Sequence, residues 1–171
     1  MRTIILALLI LPIVSAAQKT ETYLKLIDAG GQQIKGDAMI KGFERNISVL
    51  SFASAGKSNN QLSFSMNITG AAADLKKAMT NGSLLMNGTL TVLQPGGGGG
   101  TPQTSYTIKM ENIKVNNCTE SMGCNGVMTT SAVITATRIG WTYFQMDSKG
   151  KQTISQKYGF DMDSGKEWTN F

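Results

Sequence analysis

The sequence contains no histidine and only two cysteines among its 171 residues. The side chain that most often acts as a general base near neutral pH is therefore missing. A structural zinc site usually takes four ligands, and one cysteine pair supplies only two of them. Serines are common, but none lies in the G-x-S-x-G arrangement of a hydrolase nucleophile. We therefore expect a protein that is not an enzyme, with no cofactor and no metal site.

Charged residues are also scarce, at 16% of the chain, and the formal net charge is only +5. The basic residues are spread along the sequence, with no run of five like charges. This distribution does not indicate nucleic-acid binding.

Long apolar runs are missing, except for one near the N-terminus in residues 3–14. That run is shorter than the roughly 20 residues of a membrane-spanning helix. It follows Arg2 and precedes the small residues Ser15 and Ala17, a pattern typical of a secretory signal peptide. An uncleaved anchor is the alternative. We expect residues 1–17 to be removed, with export to the periplasm or outside the cell and no stable membrane insertion afterwards.

The remaining residues, 18–171, are expected to form one domain, and alternating apolar and polar positions dominate them. The pattern is clearest where Leu62, Phe64 and Met66 alternate with polar residues. Such a strand has one buried and one solvated face. About eight segments have the sequence pattern of strands, and residues that favour turns separate them. We expect a mostly β fold, with two antiparallel sheets forming a compact β-barrel or sandwich.

One segment has a helical pattern instead of an alternating one. Thr69 is a suitable N-cap, residues 71–79 are strong helix formers, and Gly82 lies just past the end. This predicts one flanking α-helix. Residues 30–46 show no period, which indicates a long surface loop or a disordered segment. A shift of alternation near Asn112 predicts a β-bulge.

Cys118 and Cys124 are separated by five residues that include Gly123. Because exported proteins usually meet oxidising conditions, this spacing predicts a disulfide. The closed loop would be short, so its contribution to stability would be modest, about 2 kcal/mol.

The segment DMDSGKE, residues 161–167, superficially resembles a calcium-binding loop. An EF-hand needs glycine at its sixth position, whereas Gly165 is fifth here. A solvated turn is the preferred interpretation.

The C-terminal third carries motifs that resemble the haemolysin-coregulated protein (Hcp) family, the tube proteins of bacterial type VI secretion. Members tend to have a strand ending in I-x-W-x-Y, a turn, and a strand that runs into an aromatic-x-D stretch. The matching residues here are Ile139, Trp141, Tyr143, Tyr158, Phe160, Asp161 and Lys166.

The N-terminal part is similar to the same family. The family's pattern has a strand, a K-G segment, a glycine-containing turn and I-x-V-x-S-F. The matching residues here are Lys35, Gly36, Gly42, Ile47, Val49, Ser51 and Phe52. Phe43 stands where members often carry histidine, and the signal peptide is an unusual addition.

The resemblance implies a structural protein whose subunits form hexameric rings that stack into a hollow tube. Its partners would be copies of itself, with secretion effectors and spike or sheath proteins as further partners. Residues 30–46 are long enough to reach a neighbouring subunit, which suggests an assembly loop. We expect its contacts to come from Lys35, Gly36, Gly42, Phe43 and Arg45. Substitutions at Gly36 and Phe43 should disturb assembly more than folding.

A binding module is the alternative function. In this hypothesis a monomeric secreted β-domain holds a carbohydrate or protein partner. Trp141 and Tyr143 would then form an aromatic platform, although Trp141 can equally pack in the core.

Overall fold

The computed structural model describes five stretches of the chain. They are residues 20–56, 60–96, 101–124, 126–147 and 151–171. The predicted signal peptide lies outside these described residues. Within them, no helix is both apolar enough and long enough to cross a membrane.

The described residues form eight strands and one helix. These are β1 (Glu21–Ile27), β2 (Ile47–Ala55), β3 (Gln61–Asn67), α1 (Gly70–Asn81), β4 (Leu85–Gln94), β5 (Gln103–Met122), β6 (Met128–Met146), β7 (Gln152–Asp161) and β8 (Lys166–Glu167). The mostly β fold with one helix agrees with the prediction from the alternating patterns.

Six of the strands close into a barrel. The sheet order is β3-β2-β1-β4-β5-β6-β7-β8, and a further pairing between β3 and β6 joins its two ends. All of the pairings are antiparallel. β7 and β8 extend the sheet outside the barrel, so the molecule is a closed antiparallel barrel with an outer ribbon.

Strand β6 belongs to both parts because its two halves have different outer partners. Residues 129–135 pair with β3, whereas residues 138–146 pair with β7. The change falls at Thr137, whose carbonyl accepts hydrogen bonds from the Met162 N–H and the Asn60 side chain instead, at 2.9 and 3.2 Å. One strand therefore connects the barrel wall to the outer ribbon.

In both β5 and β6 the alternation of buried and exposed side chains shifts by one residue, and the two shifts lie opposite each other in the ladder. In β5 the buried positions pass from Met110 to Ile113, and in β6 they pass from Ala136 to Ile139. Asn112 lies at the change with a φ of 50°, a left-handed conformation that asparagine tolerates. The pairing register is the same on both sides of Asn112. The predicted bulge is not at Asn112, where both strands change together, but a register shift of the bulge type follows in β5 between Val115 and Asn117.

Helix α1 begins and ends at the residues that the sequence predicts. The Thr69 hydroxyl accepts a hydrogen bond from the Ala71 N–H at 3.3 Å, which satisfies one of the free donors of the first turn. Gly82 ends the helix with a φ of 63°, a conformation that glycine adopts without strain. The helix packs on β5. Its buried side chains are Ala71, Ala72, Leu75 and Ala78.

The barrel interior is a packed hydrophobic core. Every barrel strand and the helix contribute to its largest fully buried side chains. These are Leu24, Leu26, Ile47, Leu62, Met66, Leu75, Leu85, Leu90, Ile108, Met110, Ile113 and Ile134. The side chains of the described residues therefore fill this small barrel and leave no channel along its axis.

Two glycines, one in β6 and one in β7, leave space for an aromatic ring to pack directly on the backbone. Gly140 and Gly159 are directly opposite each other in β6 and β7. The Phe171 ring lies over them so closely that a Cβ atom on either glycine would lie 2.5 Å from it. The Trp168 ring is 4.7 Å from the Phe171 ring between centroids, and the Lys157 Nζ atom is 4.2 Å from the Phe171 centroid. The residues after β8 are thus fixed against the ribbon.

Candidate functional site

The irregular segment of residues 30–46 forms an ordered projection with its own backbone hydrogen bonds. The Gly36 N–H donates to the Arg45 carbonyl at 2.8 Å, and the Ala38 N–H donates to the Asn46 carbonyl at 2.9 Å. The Arg45 N–H donates back to the Ala38 carbonyl at 2.8 Å. The two arms of the segment therefore pair, and we call residues 36–46 the paired loop.

The five predicted assembly residues lie at different parts of this projection. Lys35 and Arg45 are exposed at its base, and Gly42 is exposed near its tip with a φ of 88°. Phe43 is half-buried beneath the tip, and Gly36 lies between the two arms. The paired loop thus presents charge at its base and packs an aromatic ring underneath.

Gly36 has no room for a side chain. A Cβ atom at this position would lie 2.3 Å from the Asn46 carbonyl oxygen and 2.5 Å from the Ile47 Cα atom. Both are backbone atoms, so a side chain at Gly36 would force the arms of the paired loop apart. These contacts indicate a cost to folding, and the expectation that Gly36 acts on assembly more than on folding stays a prediction.

Phe43 anchors the paired loop to the barrel through a small second cluster. Its ring stacks on Tyr23 at 4.9 Å between centroids, and Ala38 and Leu93 complete the cluster. Burial and a hydrogen bond from the Tyr23 hydroxyl to Glu21 raise the pKa of Tyr23 to about 12. The phenol therefore remains protonated, as a donor to Glu21, across the physiological pH range.

The tip of the paired loop exposes two consecutive apolar side chains. Met39 is 93% exposed and Ile40 is 42% exposed. Sequence reasoning missed both, although an adjacent apolar pair within a polar, glycine-rich loop is a readable signal. Apolar side chains on an ordered projection are suited to contact with another protein surface.

The outer face of the barrel carries an uncharged row of hydroxyl groups. Ser51, Ser65, Ser131 and Thr119 are successive partners across β2, β3, β6 and β5. The Ser51 and Ser65 hydroxyl oxygens are hydrogen-bonded at 2.7 Å. This is the solvated face that the alternation in β3 predicts, and it continues onto three further strands.

The aromatic residues of β6 do not form a joint platform. Trp141 is only 9% exposed, stacks on Tyr158, and donates its indole N–H to the Ser54 hydroxyl at 2.8 Å. Tyr143 is exposed and packs beside Tyr106, with centroids 4.8 Å apart. Trp141 is thus a packing residue, which removes the main support for a carbohydrate platform.

A network of three charged side chains joins β5, β6 and the last residue of β7. The Arg138 guanidinium donates to Asp161 at 2.9 Å and to Glu111 at 3.1 Å. The other Asp161 oxygen accepts the N–H groups of Asp163 and Ser164, at 2.9 and 3.3 Å. The hydrogen bond from Arg138, helped by these two backbone donors, lowers the pKa of Asp161.

The segment that resembles a calcium loop forms a turn followed by the short strand β8. One oxygen of Asp161 already accepts hydrogen bonds from two N–H groups of this turn, those of Asp163 and Ser164. The described part of the chain contains no group of three or more His, Cys, Asp or Glu side chains placed to hold a metal.

The charge network should stabilise the fold above the ordinary pKa of an aspartate, which is 3.8. Because the folded-state pKa of Asp161 is lower than that, its contribution is lost as the pH falls through the folded-state value. We expect Asp161→Asn to lower the free energy of unfolding at pH 7 and to have a diminishing effect below about pH 4. Urea unfolding at pH 7, 5 and 3 measures this.

Asp163→Asn is the matched control, because Asp163 reaches Asp161 through its backbone N–H and keeps that bond after substitution. An Asp161→Asn effect that is the same at all three pH values would contradict the assigned role.

The predicted disulfide is wrong. Both cysteines are free thiols; Cys118 is buried and Cys124 is exposed. β5 continues in extended conformation from Cys118 to Met122, which spans about 13 Å, whereas a disulfide needs Cα atoms within about 7 Å. Cys118 instead lies against helix α1, with its thiol 3.9 Å from the Ala72 carbonyl oxygen.

Comparison with known proteins gives one family and several similar structures. A family model described as "Type VI secretion system effector, Hcp" matches residues 23–143. Hcp1 from Salmonella typhimurium is 19% identical, with a TM-score of 0.70 over 87% of this chain and 99% of that chain. A structure described as a type six secretion system protein has 17% identity and a TM-score of 0.73 over 88% and 100% of the chains. Secreted protein Hcp3 from Pseudomonas aeruginosa has 17% identity and a TM-score of 0.66 over 84% and 98%. No curated protein matches the sequence.

Proposed function

The chain belongs to the Hcp family of type VI secretion system effectors, and from this premise we propose that it is a structural, self-assembling subunit of a secretion tube. Its subunits form hexameric rings, and the rings stack into a hollow tube that carries or contacts effectors. The observation that carries the proposal is the paired loop, whose tip leaves Met39 and Ile40 exposed.

The paired loop has the features of a contact arm. Its backbone hydrogen bonds and the stacking of Phe43 on Tyr23 hold it in one conformation, so little conformational entropy is lost on binding. Complete burial of a side chain such as Met39 against a neighbour contributes about 1.5–3 kcal/mol. An arm on one face that binds a different face of the next copy makes a head-to-tail contact, which closes into a ring when the rotation permits.

The tube lumen has to lie between subunits, because the barrel interior of each subunit is filled with core side chains. We assign the hydroxyl row of Ser51, Ser65, Ser131 and Thr119 to the lumen wall. An uncharged polar wall keeps its hydration and does not hold cargo of either charge, which suits a passage for effectors. Spike and sheath proteins are the further partners of such a tube.

We propose that export removes residues 1–17 and leaves a single domain in the periplasm or outside the cell. Intact-mass measurement of protein recovered from the periplasm and from the medium tests both parts. A chain that begins at Gln18 supports cleavage, whereas a chain that keeps residue 1 contradicts it.

The assembly proposal is tested with the mature protein, residues 18–171, at tens of micromolar. Light scattering should give a mass of six subunits, and electron microscopy should show rings with a central hole. A strictly monomeric protein at this concentration would overturn the proposal.

Phe43→Ala should weaken ring formation while leaving the barrel folded. The ring of Phe43 belongs to the small cluster beneath the paired loop and not to the main core. Its loss removes the stacking on Tyr23 and frees the arm, so we expect the ring-to-monomer midpoint to rise at least about tenfold. Light scattering against concentration measures the midpoint, and circular dichroism checks the fold.

Ile154→Ala is the matched control for this substitution. Ile154 lies on β7, away from the paired loop, and is 58% exposed. It should leave the midpoint unchanged. Unaltered ring formation in Phe43→Ala would remove the paired loop from the assembly interface.

A further inference from the structure

Three sulfur-containing side chains gather at the tip of the hairpin between β5 and β6. Met122 ends β5, Met128 begins β6, and the two are directly opposite each other in the ladder. Cys124 lies in the turn between them. We call these three residues the sulfur tip.

The turn holds the two strand ends together. The Gly123 N–H donates to the Val127 carbonyl and the Gly126 N–H donates to the Gly123 carbonyl, both at 2.9 Å. Gly126 has a φ of 75°, which glycine adopts without strain. The positions of Met122 and Met128 are therefore fixed by backbone hydrogen bonds on both sides of the turn.

Packing does not account for these side chains. Met122 is 67% exposed, Met128 is 44% exposed, and Cys124 is exposed. Other methionines of this chain, such as Met86 and Met146, are also exposed, but this turn brings two exposed methionines and an exposed cysteine together.

The three sulfur atoms are able to meet at one point. Directly opposite residues of an antiparallel pair have Cβ atoms about 4.5–5.5 Å apart and side chains on the same face. Cys124 is two residues beyond Met122, so its Cα atom lies at most about 7 Å away. Each methionine has three rotatable bonds and can turn its thioether towards the thiol.

We propose that Met122, Cys124 and Met128 bind a soft monovalent metal ion, with Cu(I) as the natural ion and Ag(I) as its laboratory equivalent. Thiolate and thioether ligands favour Cu(I) over harder ions. On binding, the Cys124 thiol releases its proton to solvent and forms a sulfur–metal bond, and the two thioethers donate lone pairs. The ion is neither oxidised nor reduced. The thiolate balances its single positive charge.

The same set of ligands is unsuited to zinc. Zinc takes thiolate, imidazole or carboxylate ligands, usually four of them, and the sulfur tip offers one thiolate. The chain has no histidine, and the nearby carboxylate of Glu120 is bound to Lys76 at 2.6 Å. The prediction of no metal site was based on cysteine and histidine ligands and did not take the thioethers of methionine into account.

The test is an anaerobic titration of the reduced mature protein with Cu(I) in competition with a chromophoric Cu(I) chelator. We expect one Cu(I) per chain, with binding that weakens as the pH falls because the thiol must lose its proton. Cys124→Ser should abolish this binding. The double variant Met122→Leu, Met128→Leu should weaken it by at least about tenfold.

The chain offers matched controls for both kinds of ligand. Cys118→Ala removes the other thiol, which is buried, and Met146→Leu changes a methionine of similar exposure on the same strand, at 47%. Both should keep full affinity. As a second readout, Ag(I) should protect Cys124 from alkylation at a lower free Ag(I) concentration in the parent protein than in the double methionine variant.

Several results would overturn the site. They are no competition with the chelator, full affinity in the double methionine variant, loss of binding in Cys118→Ala, or equal affinity for Zn²⁺. The sulfur tip shares no residue with the paired loop, so metal binding and ring formation can fail independently of each other.

Discussion

Gly36→Ala should destabilise the protein by about 3 kcal/mol, a large effect for one added methyl group. The new Cβ atom would lie 2.3 Å from the Asn46 carbonyl oxygen and 2.5 Å from the Ile47 Cα atom. These atoms belong to the backbone and cannot rotate away as a side chain can. Ile47 is also fully buried at the start of β2, so movement there disturbs the core.

Gly30→Ala is the matched control for this substitution. The nearest atom to a Cβ at Gly30 is an Asp28 carboxylate oxygen at 3.4 Å, an ordinary contact. Because alanine restricts the unfolded chain more than glycine does, Gly30→Ala should be neutral or stabilising by up to about 1 kcal/mol. Chemical denaturation of the two variants measures the contrast. Equal stability of both would show that the arms of the paired loop are not held against each other.

Gly140→Ala should displace the Phe171 ring, and removal of that ring should restore most of the loss. The three atoms nearest to a Cβ at Gly140 all belong to the Phe171 ring, at 2.5–2.6 Å. We expect Gly140→Ala to cost about 2 kcal/mol in the parent protein and much less in a Phe171→Ala background. The coupling energy should be about 1–2 kcal/mol. A double-mutant cycle measured by denaturant unfolding gives this number.

Gly159→Ala should behave differently, although the two glycines face each other. A Cβ at Gly159 would lie 2.5 Å from the Phe171 ring, and it would also lie 2.5 Å from the Trp168 carbonyl oxygen. The second clash remains after the ring is removed, so Phe171→Ala should not rescue this variant. For the Gly140 cycle, additive effects of Gly140→Ala and Phe171→Ala would mean that the Phe171 ring does not pack over Gly140.

Local signals in the sequence identified the elements of the fold correctly. The alternation of Leu62, Phe64 and Met66 gave β3 and its buried face, because neighbouring side chains of a strand point to opposite sides. Thr69 and Gly82 predicted both ends of the helix correctly, because capping depends on a few adjacent residues. The family motifs likewise lie within single strands and turns.

Long-range features could not be predicted in the same way. The pairing of Gln61 with Thr135 closes the barrel and joins residues far apart in sequence, and no local pattern encodes it. The disulfide prediction failed because the spacer after Cys118 was taken as a loop, whereas it continues β5. The close packing of Gly36 could not be predicted either, because the atoms that exclude a side chain belong to Asn46 and Ile47, ten and eleven positions further along.

Strand β6 is part of both the barrel wall and the outer ribbon, which determines how the two parts are connected. Among the described residues, the ladder between β7 and residues 138–146 of β6 is the main connection of the outer ribbon to the barrel. Side-chain hydrogen bonds from Gln152 to the Thr104 carbonyl and from Asn60 to the Phe160 carbonyl add to it. The barrel and the outer ribbon are therefore joined by the continuous backbone of one strand and not by a linker between two domains.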